Sequence, residues 1–289
     1  MKTVLVAGAT GHVGMALVDA LRTRGHDVRA LSRSGGDGVV EGDVSDRKAM
    51  LAALEGVEAA YYLVHSLEAA GDFGDAETHA AGVFATAARE RGVERIVYLG
   101  GIVHGTDLSA HLESRRAVGE ILRSSAVPAI EFRASIVVGA GSASFELVRD
   151  LVERLPLLVG PDWLDNPAQP IALEDVVAYL VEALELPLTD SVVYEIGGAD
   201  RVTYRALVDE VARQTGGTPT AAVVPVPSPP VSASDLPSAL TQLIPERARL
   251  AANLIESLRY DTAVSDDAAL ADFRVRPKGI EDAVREALA

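Results

Sequence analysis

Short apolar runs alternate along this chain with longer stretches in which apolar residues return every three or four positions. Val4 to Ala7, Val28 to Leu31, Ala59 to Val64, Arg95 to Leu99 and Ala129 to Arg133 are of the first kind. Short apolar runs bounded by turn residues are strands covered on both faces, whereas the 3.6-residue return is that of an amphipathic helix. Helices are predicted over Met15 to Arg24, Arg47 to Leu54, Asp75 to Arg91 and Ser109 to Arg123, with a short third strand near Val39-Val40. Strands and helices that take turns pair in parallel through right-handed crossovers. The expected fold class is α/β, a doubly wound parallel sheet.

The first strand runs straight into Gly8-Ala9-Thr10-Gly11-His12-Val13-Gly14 and then into a helical pattern. Glycines at this spacing let the chain turn tightly, let backbone approach a pyrophosphate and let helix pack on strand. The helix start adds unpaired N–H groups and a positive dipole end. Dinucleotide binding is expected, with Gly8, Thr10, Gly11, His12, Val13 and Gly14 against the cofactor; a tight turn without a ligand is the alternative. The end of the second strand bears on which nicotinamide cofactor binds, since an acid there takes the ribose hydroxyls of NAD and an arginine meets the 2′-phosphate of NADP. Ala30-Leu31-Ser32-Arg33-Ser34 carries no acid, so Ser32 and Arg33 favour NADP(H) over NAD(H). Asp43 and Val44, after the third strand, are placed to border the adenine, although Asp43 or Ser45 would serve as well as a helix cap.

The alternation loosens after about Phe145. Glu174 to Leu186 reads as a helix, Val192 to Ile196 as a strand, and Thr203 as the cap of a helix running to Gln214. Val223 to Pro237, with Pro225, Pro227, Pro229, Pro230 and Pro237, is expected to lie as an extended edge. Residues 1–150 form the expected cofactor-binding domain, and 151–289 a mixed region that makes a small substrate lobe and completes the sheet. A formal net charge of −16 argues against nucleic acid as partner, and the absence of cysteine removes disulfide and thiolate chemistry. No apolar stretch approaches the roughly 18 residues of a membrane span, and the scattered histidines have no metal-binding spacing. A cytoplasmic protein with a small-molecule partner and no metal is expected.

Several further segments strengthen this picture. They are Val97-Tyr98-Leu99-Gly100-Gly101, Phe132-Arg133-Ala134-Ser135-Ile136-Val137-Val138-Gly139, Ala172-Leu173-Glu174-Asp175-Val176 and Tyr194-Glu195-Ile196-Gly197-Gly198. With the glycine turn, they make the chain resemble the atypical short-chain dehydrogenase/reductases, most closely the NmrA-like NAD(P)-binding group. The resemblance implies a Rossmann sheet, with Leu63, Val64 and His65 bordering the ribose and nicotinamide. It also implies hydride transfer to a small carbonyl, enone or quinone-like substrate. A nonenzymatic NADP(H) redox sensor, or a cofactor-dependent isomerase or cyclase, is the alternative.

The chain departs from that family where the usual Ser-Tyr-Lys relay would sit. The serine position reads Gly100-Gly101, and the following helix reads His111-Leu112-Glu113-Ser114-Arg115. His111 and Arg115 keep the i, i+4 spacing that puts both on one helix face. His111 is the candidate acid/base and Arg115 the group that binds ribose or substrate, against the reading of two solvated helix residues. Tyr98, Phe145 and Trp163 are the substrate-side candidates, the last two as an apolar wall for a ring; core packing is the alternative for each.

Overall fold

The computed structural model describes residues 1–65, 73–102, 104–105, 108–154, 158–160, 162–216, 221–223 and 260–289; the proline-rich segment beyond Val223 lies outside them. Six strands follow the apolar runs: β1 (Thr3–Ala7), β2 (Asp27–Ser32), β3 (Val39–Glu41), β4 (Ala59–Tyr62), β5 (Arg95–Gly101) and β6 (Ala129–Ala134). With the edge strand Val192–Ile196 they form one sheet, ordered from that edge as β6, β5, β4, β1, β2, β3. Every neighbouring pair is parallel. The order reverses between β1 and β4, and the crevice above such a switch point is where open α/β sheets bind ligands.

Alternate residues along each strand feed opposite layers. Val4, Val6, Tyr61 and Val97 pack with Leu17 and Leu21 of helix α1 (His12–Thr23) and with Val176 and Leu180. Leu5, Leu31, Tyr62 and Tyr98 pack on the other face with Met50 and Leu54, Phe84 and Leu122. These come from or adjoin helices α2 (Arg47–Ala53), α3 (Phe73–Glu90) and α4 (Ala110–Arg123). Helix α1 begins at His12, three residues before the predicted start, because the first helical turn lies on the glycine loop and carries no apolar stripe. Asp46 caps α2 by accepting from the Lys48 and Ala49 amides at 2.8 and 3.3 Å, so the cap is neither Asp43 nor Ser45.

Beyond the sheet, α5 (Ala143–Arg154), α6 (Leu173–Glu182), α7 (Tyr204–Thr215) and the helix Ile280–Leu288 follow. Helix α6 joins α1 on its face of the sheet, while α5, α7 and the last helix share a separate core of Phe145, Val148, Leu207, Val211 and Val284. Thr203 caps α7, accepting from the Ala206 amide at 3.1 Å. No helix among the described residues is long and apolar enough to cross a membrane.

Candidate cofactor cleft and active site

The glycine loop is shaped by contacts that leave no room for side chains. Gly8 has φ +87°, and a Cβ there would stand 2.6 Å from the Leu63 carbonyl oxygen. At Gly14 a Cβ would meet the Gly8 oxygen at 2.1 Å, so helix and strand touch backbone to backbone. The Gly8 and Ala9 amides both donate to the Leu31 carbonyl, at 3.1 and 3.2 Å, tying the turn to the end of β2. Gly11 is exposed and is the N-cap of α1, with no side chain capping the first-turn amides. Those amides, over an exposed glycine at a helix start, fit the pyrophosphate of a dinucleotide.

His12 and Val13 are half-buried beside this opening and Thr10 is exposed. The His12 ring rests against a second glycine turn: a Cβ on Gly139 would lie 3.2 Å from Nε2, and one on Gly141 would lie 3.3 Å from Nδ1. Burial keeps its pKa below 6.5, against the opposing pull of Glu146 and Glu174, and Nε2 is buried without a partner. Gly139 and Gly141 are therefore part of the cleft's construction. Two glycines in Gly139-Ala140-Gly141 were the available sequence signal, but their partner was not.

At the end of β2, Ser32 is buried and its hydroxyl donates to the Gly35 carbonyl at 3.3 Å, while Arg33 is exposed. Asp43 faces the same region. Its carboxylate accepts from the Ser45 amide at 2.8 Å and the Ser45 hydroxyl at 2.7 Å; these bonds, then the charge of Arg33, hold it below the usual carboxylate range. Val44 is 6% exposed and packs with Leu31 and Met50, so its side chain belongs to the core rather than to an adenine pocket.

Across the switch point, β4 is followed by Leu63, Val64 and His65. The Arg115 guanidinium donates from Nη1 to His65 Nδ1 at 2.8 Å and from Nη2 to the Leu99 carbonyl at 2.7 Å. One side chain on α4 thus bridges the ends of β4 and β5. His65 keeps an open edge to solvent, yet crowding of its ring, then Arg115, then His111 hold it well below 6.5, so it stands as a neutral acceptor. His111, one turn earlier on α4 and half-buried, is lowered to about 4 by desolvation and then by Arg115, with Glu77 opposing. Glu77, on α3, accepts from the Ser114 hydroxyl. Glu77 and the Leu99 carbonyl had no sequence signal, because only packing brings α3 and β5 to this face of α4.

Two of the substrate-side candidates are corrected. Tyr98 is 1% exposed and Phe145 is 0% exposed, so neither ring offers a wall to a ligand. The Tyr98 hydroxyl donates to the Arg115 carbonyl at 3.1 Å and so fixes the height of α4 over the sheet, while Phe145 packs in the core shared by α5, α7 and the last helix. Trp163 lies in the short helix Asp162–Asp165, but its side chain is outside the described residues. His104 contacts Glu195 Oε1 through Nε2 at 3.0 Å. No group of three or more metal-ligating side chains occurs among the described residues.

The model of the NmrA-like family matches residues 1–250 of this chain. The chain belongs to the NmrA-like family. This is an NAD(P)-binding family with oxidoreductase members, and two curated relatives are named as reductases. A 2-alkyl-3-oxoalkanoate reductase of Stenotrophomonas maltophilia is 30% identical over 186 residues, 52% of this chain and 55% of that protein. A 3-diazoavenalumate denitrifying reductase of a Streptomyces species is 37% identical over 130 residues, 43% of this chain and 39% of that protein. The matches therefore span about half the length of these relatives or less. Among solved structures, gox2253 superposes with TM-score 0.76 at 22% identity, covering 100% of this chain and 97% of that one. MoeE5 in complex with UDP-glucose and NAD superposes with TM-score 0.74 at 18% identity, covering 99% and 97%. At these identities the structural likeness concerns the fold alone.

Proposed function

We propose that this protein is an NADP(H)-dependent reductase of a small carbonyl, enone or quinone-like compound, working without the usual Ser-Tyr-Lys relay. The observation that carries this reading is the bridge made by Arg115 between His65 and Leu99, with His111 one turn away, beside the uncapped start of α1 at the switch point. The first-turn amides of α1 would hold the pyrophosphate, Arg33 the 2′-phosphate, and the ends of β4 and β5 the nicotinamide side. When bound, the reduced nicotinamide supplies the hydride.

His111 is the group assigned to the oxygen that gains negative charge. With a pKa of about 4 it is neutral at pH 7, so its ring N–H donates a hydrogen bond to that oxygen while solvent water supplies the proton that completes the reduction. Arg115 cannot act as a base and contributes position and charge. Gly100 and Gly101 occupy the position where the usual serine would stand.

The same low pKa leaves almost no His111 carrying an extra proton to give at pH 7, which favours as second reading a sensor that binds NADP(H) without turnover. Fluorescence titration with NADPH and NADH, followed by substrate-dependent loss of NADPH absorbance over a panel of ketones, enones and quinones, separates the two. Tighter binding of NADPH together with turnover supports the reductase; tight binding with no turnover across the panel supports the sensor. Absence of binding by either coenzyme removes both readings.

A further inference from the structure

We propose that Arg115 receives a carboxylate, so that the substrate is an anionic oxo acid rather than a neutral carbonyl compound; this rests on the reductase reading. Both of its hydrogen bonds go to uncharged acceptors, His65 Nδ1 and the Leu99 carbonyl. Its Nε is buried with no partner, and the guanidinium carbon lies 6.0 Å from the centre of the Tyr98 ring. Among the described residues Arg115 has no carboxylate within ion-pair distance. The carboxylates that act on Tyr98 from either side are engaged elsewhere: Glu77 accepts from Ser114, and Glu131 is held at 2.6 Å by Arg123 and 2.8 Å by Arg133.

A half-buried guanidinium without a counter-ion is costly to desolvate, and that cost falls when an anion arrives with the ligand. The surroundings fit a single negative charge. His65 accepts from Arg115 and both histidines are held neutral, so among the described residues Arg115 is the one permanent cation of this cluster. A planar fork matches a carboxylate in bidentate fashion, whereas a phosphate dianion calls for a second cation, which the described residues of this cluster do not supply. The chain as a whole carries −16, so an uncompensated positive charge here is a local exception rather than a consequence of composition.

Calorimetric titration of the full-length protein, free and saturated with NADP+, with a series of 2-oxo and 3-oxo acids and their methyl esters tests this. The expected result is that at least one acid binds about tenfold or more tightly than its ester. Arg115→Gln should abolish that preference and Arg115→Lys retain part of it, with the loss of acid binding exceeding any loss of NADP+ binding by about tenfold or more and circular dichroism reporting an intact fold. If no acid in the series outbinds its ester, or if Arg115→Gln weakens NADP+ as much as it weakens the acid, the proposal is overturned. The second outcome would assign the guanidinium to the cofactor. A protein that prefers the acid but binds no NADP+ would retain the carboxylate site while the reductase reading fails.

Discussion

Burial, and then the charge of Arg115, keeps two histidines uncharged, and this sets the behaviour of the cleft with pH. His111 titrates at about 4 in the fold against 6.5 for an ordinary histidine, with burial the larger cause. Between those values the unfolded chain holds the extra proton, so stability is full above about pH 6.5 and falls as pH drops toward 4. Denaturant midpoints measured at pH 6.5 and 4.5 should therefore fall less in His111→Asn than in the unaltered protein. For chemistry, His111→Ala should lower NADPH turnover by about 100-fold or more while leaving NADP+ affinity intact; undiminished turnover would remove His111 from the mechanism. Arg33→Ala should weaken NADPH by about tenfold and leave NADH unchanged in parallel titrations. The residue types were legible in the sequence, but their charge states were not, because desolvation depends on what other segments bring alongside.

Among the elements, the β1–α1 unit was the most legible, since each glycine of the loop answers to neighbours close in sequence or on the adjoining strand. The contrast between two helical glycines tests this. Gly14→Ala forces a Cβ against the Gly8 oxygen, 2.1 Å away, and should cost about 1–3 kcal/mol and weaken nucleotide binding. Gly82→Ala, on α3 with open space around the new Cβ, should stabilise by about 0.5–1 kcal/mol. Thermal melts and NADP+ titration of both variants measure the difference. Helix starts were less legible: α1 begins before its apolar stripe, and α2 takes Asp46 as its cap. Ser109, by contrast, lies at the predicted helix boundary and accepts from the Leu112 amide at 3.3 Å as the cap of α4.

On the scale of the molecule, the C-terminal part is bound to the sheet through aromatic packing. Phe273 stacks at 5.4 Å from Phe132, 5.4 Å from Tyr179 and 5.1 Å from Tyr194, joining β6, α6 and the edge strand. Tyr194 adds a hydrogen bond to Asp272 Oδ2 at 2.6 Å. Phe273→Ala should cost about 3–5 kcal/mol in denaturant unfolding. The periodicity of apolar residues and the glycine spacing were enough, unaided, to define the parallel α/β class, the strand–turn–helix opening and the stretch of α4 that carries His111 and Arg115. Both signals act between residues near in the chain or repeat at the period of an element. Packing alone put Arg115 between His65 and Leu99, left it without a counter-ion among the described residues, buried Phe145 in the core shared by α5, α7 and the last helix, and set His12 against Gly139 and Gly141. Those outcomes depend on contacts between segments far apart in sequence, for which an apolar or charged residue announces its burial or its charge but not its partner.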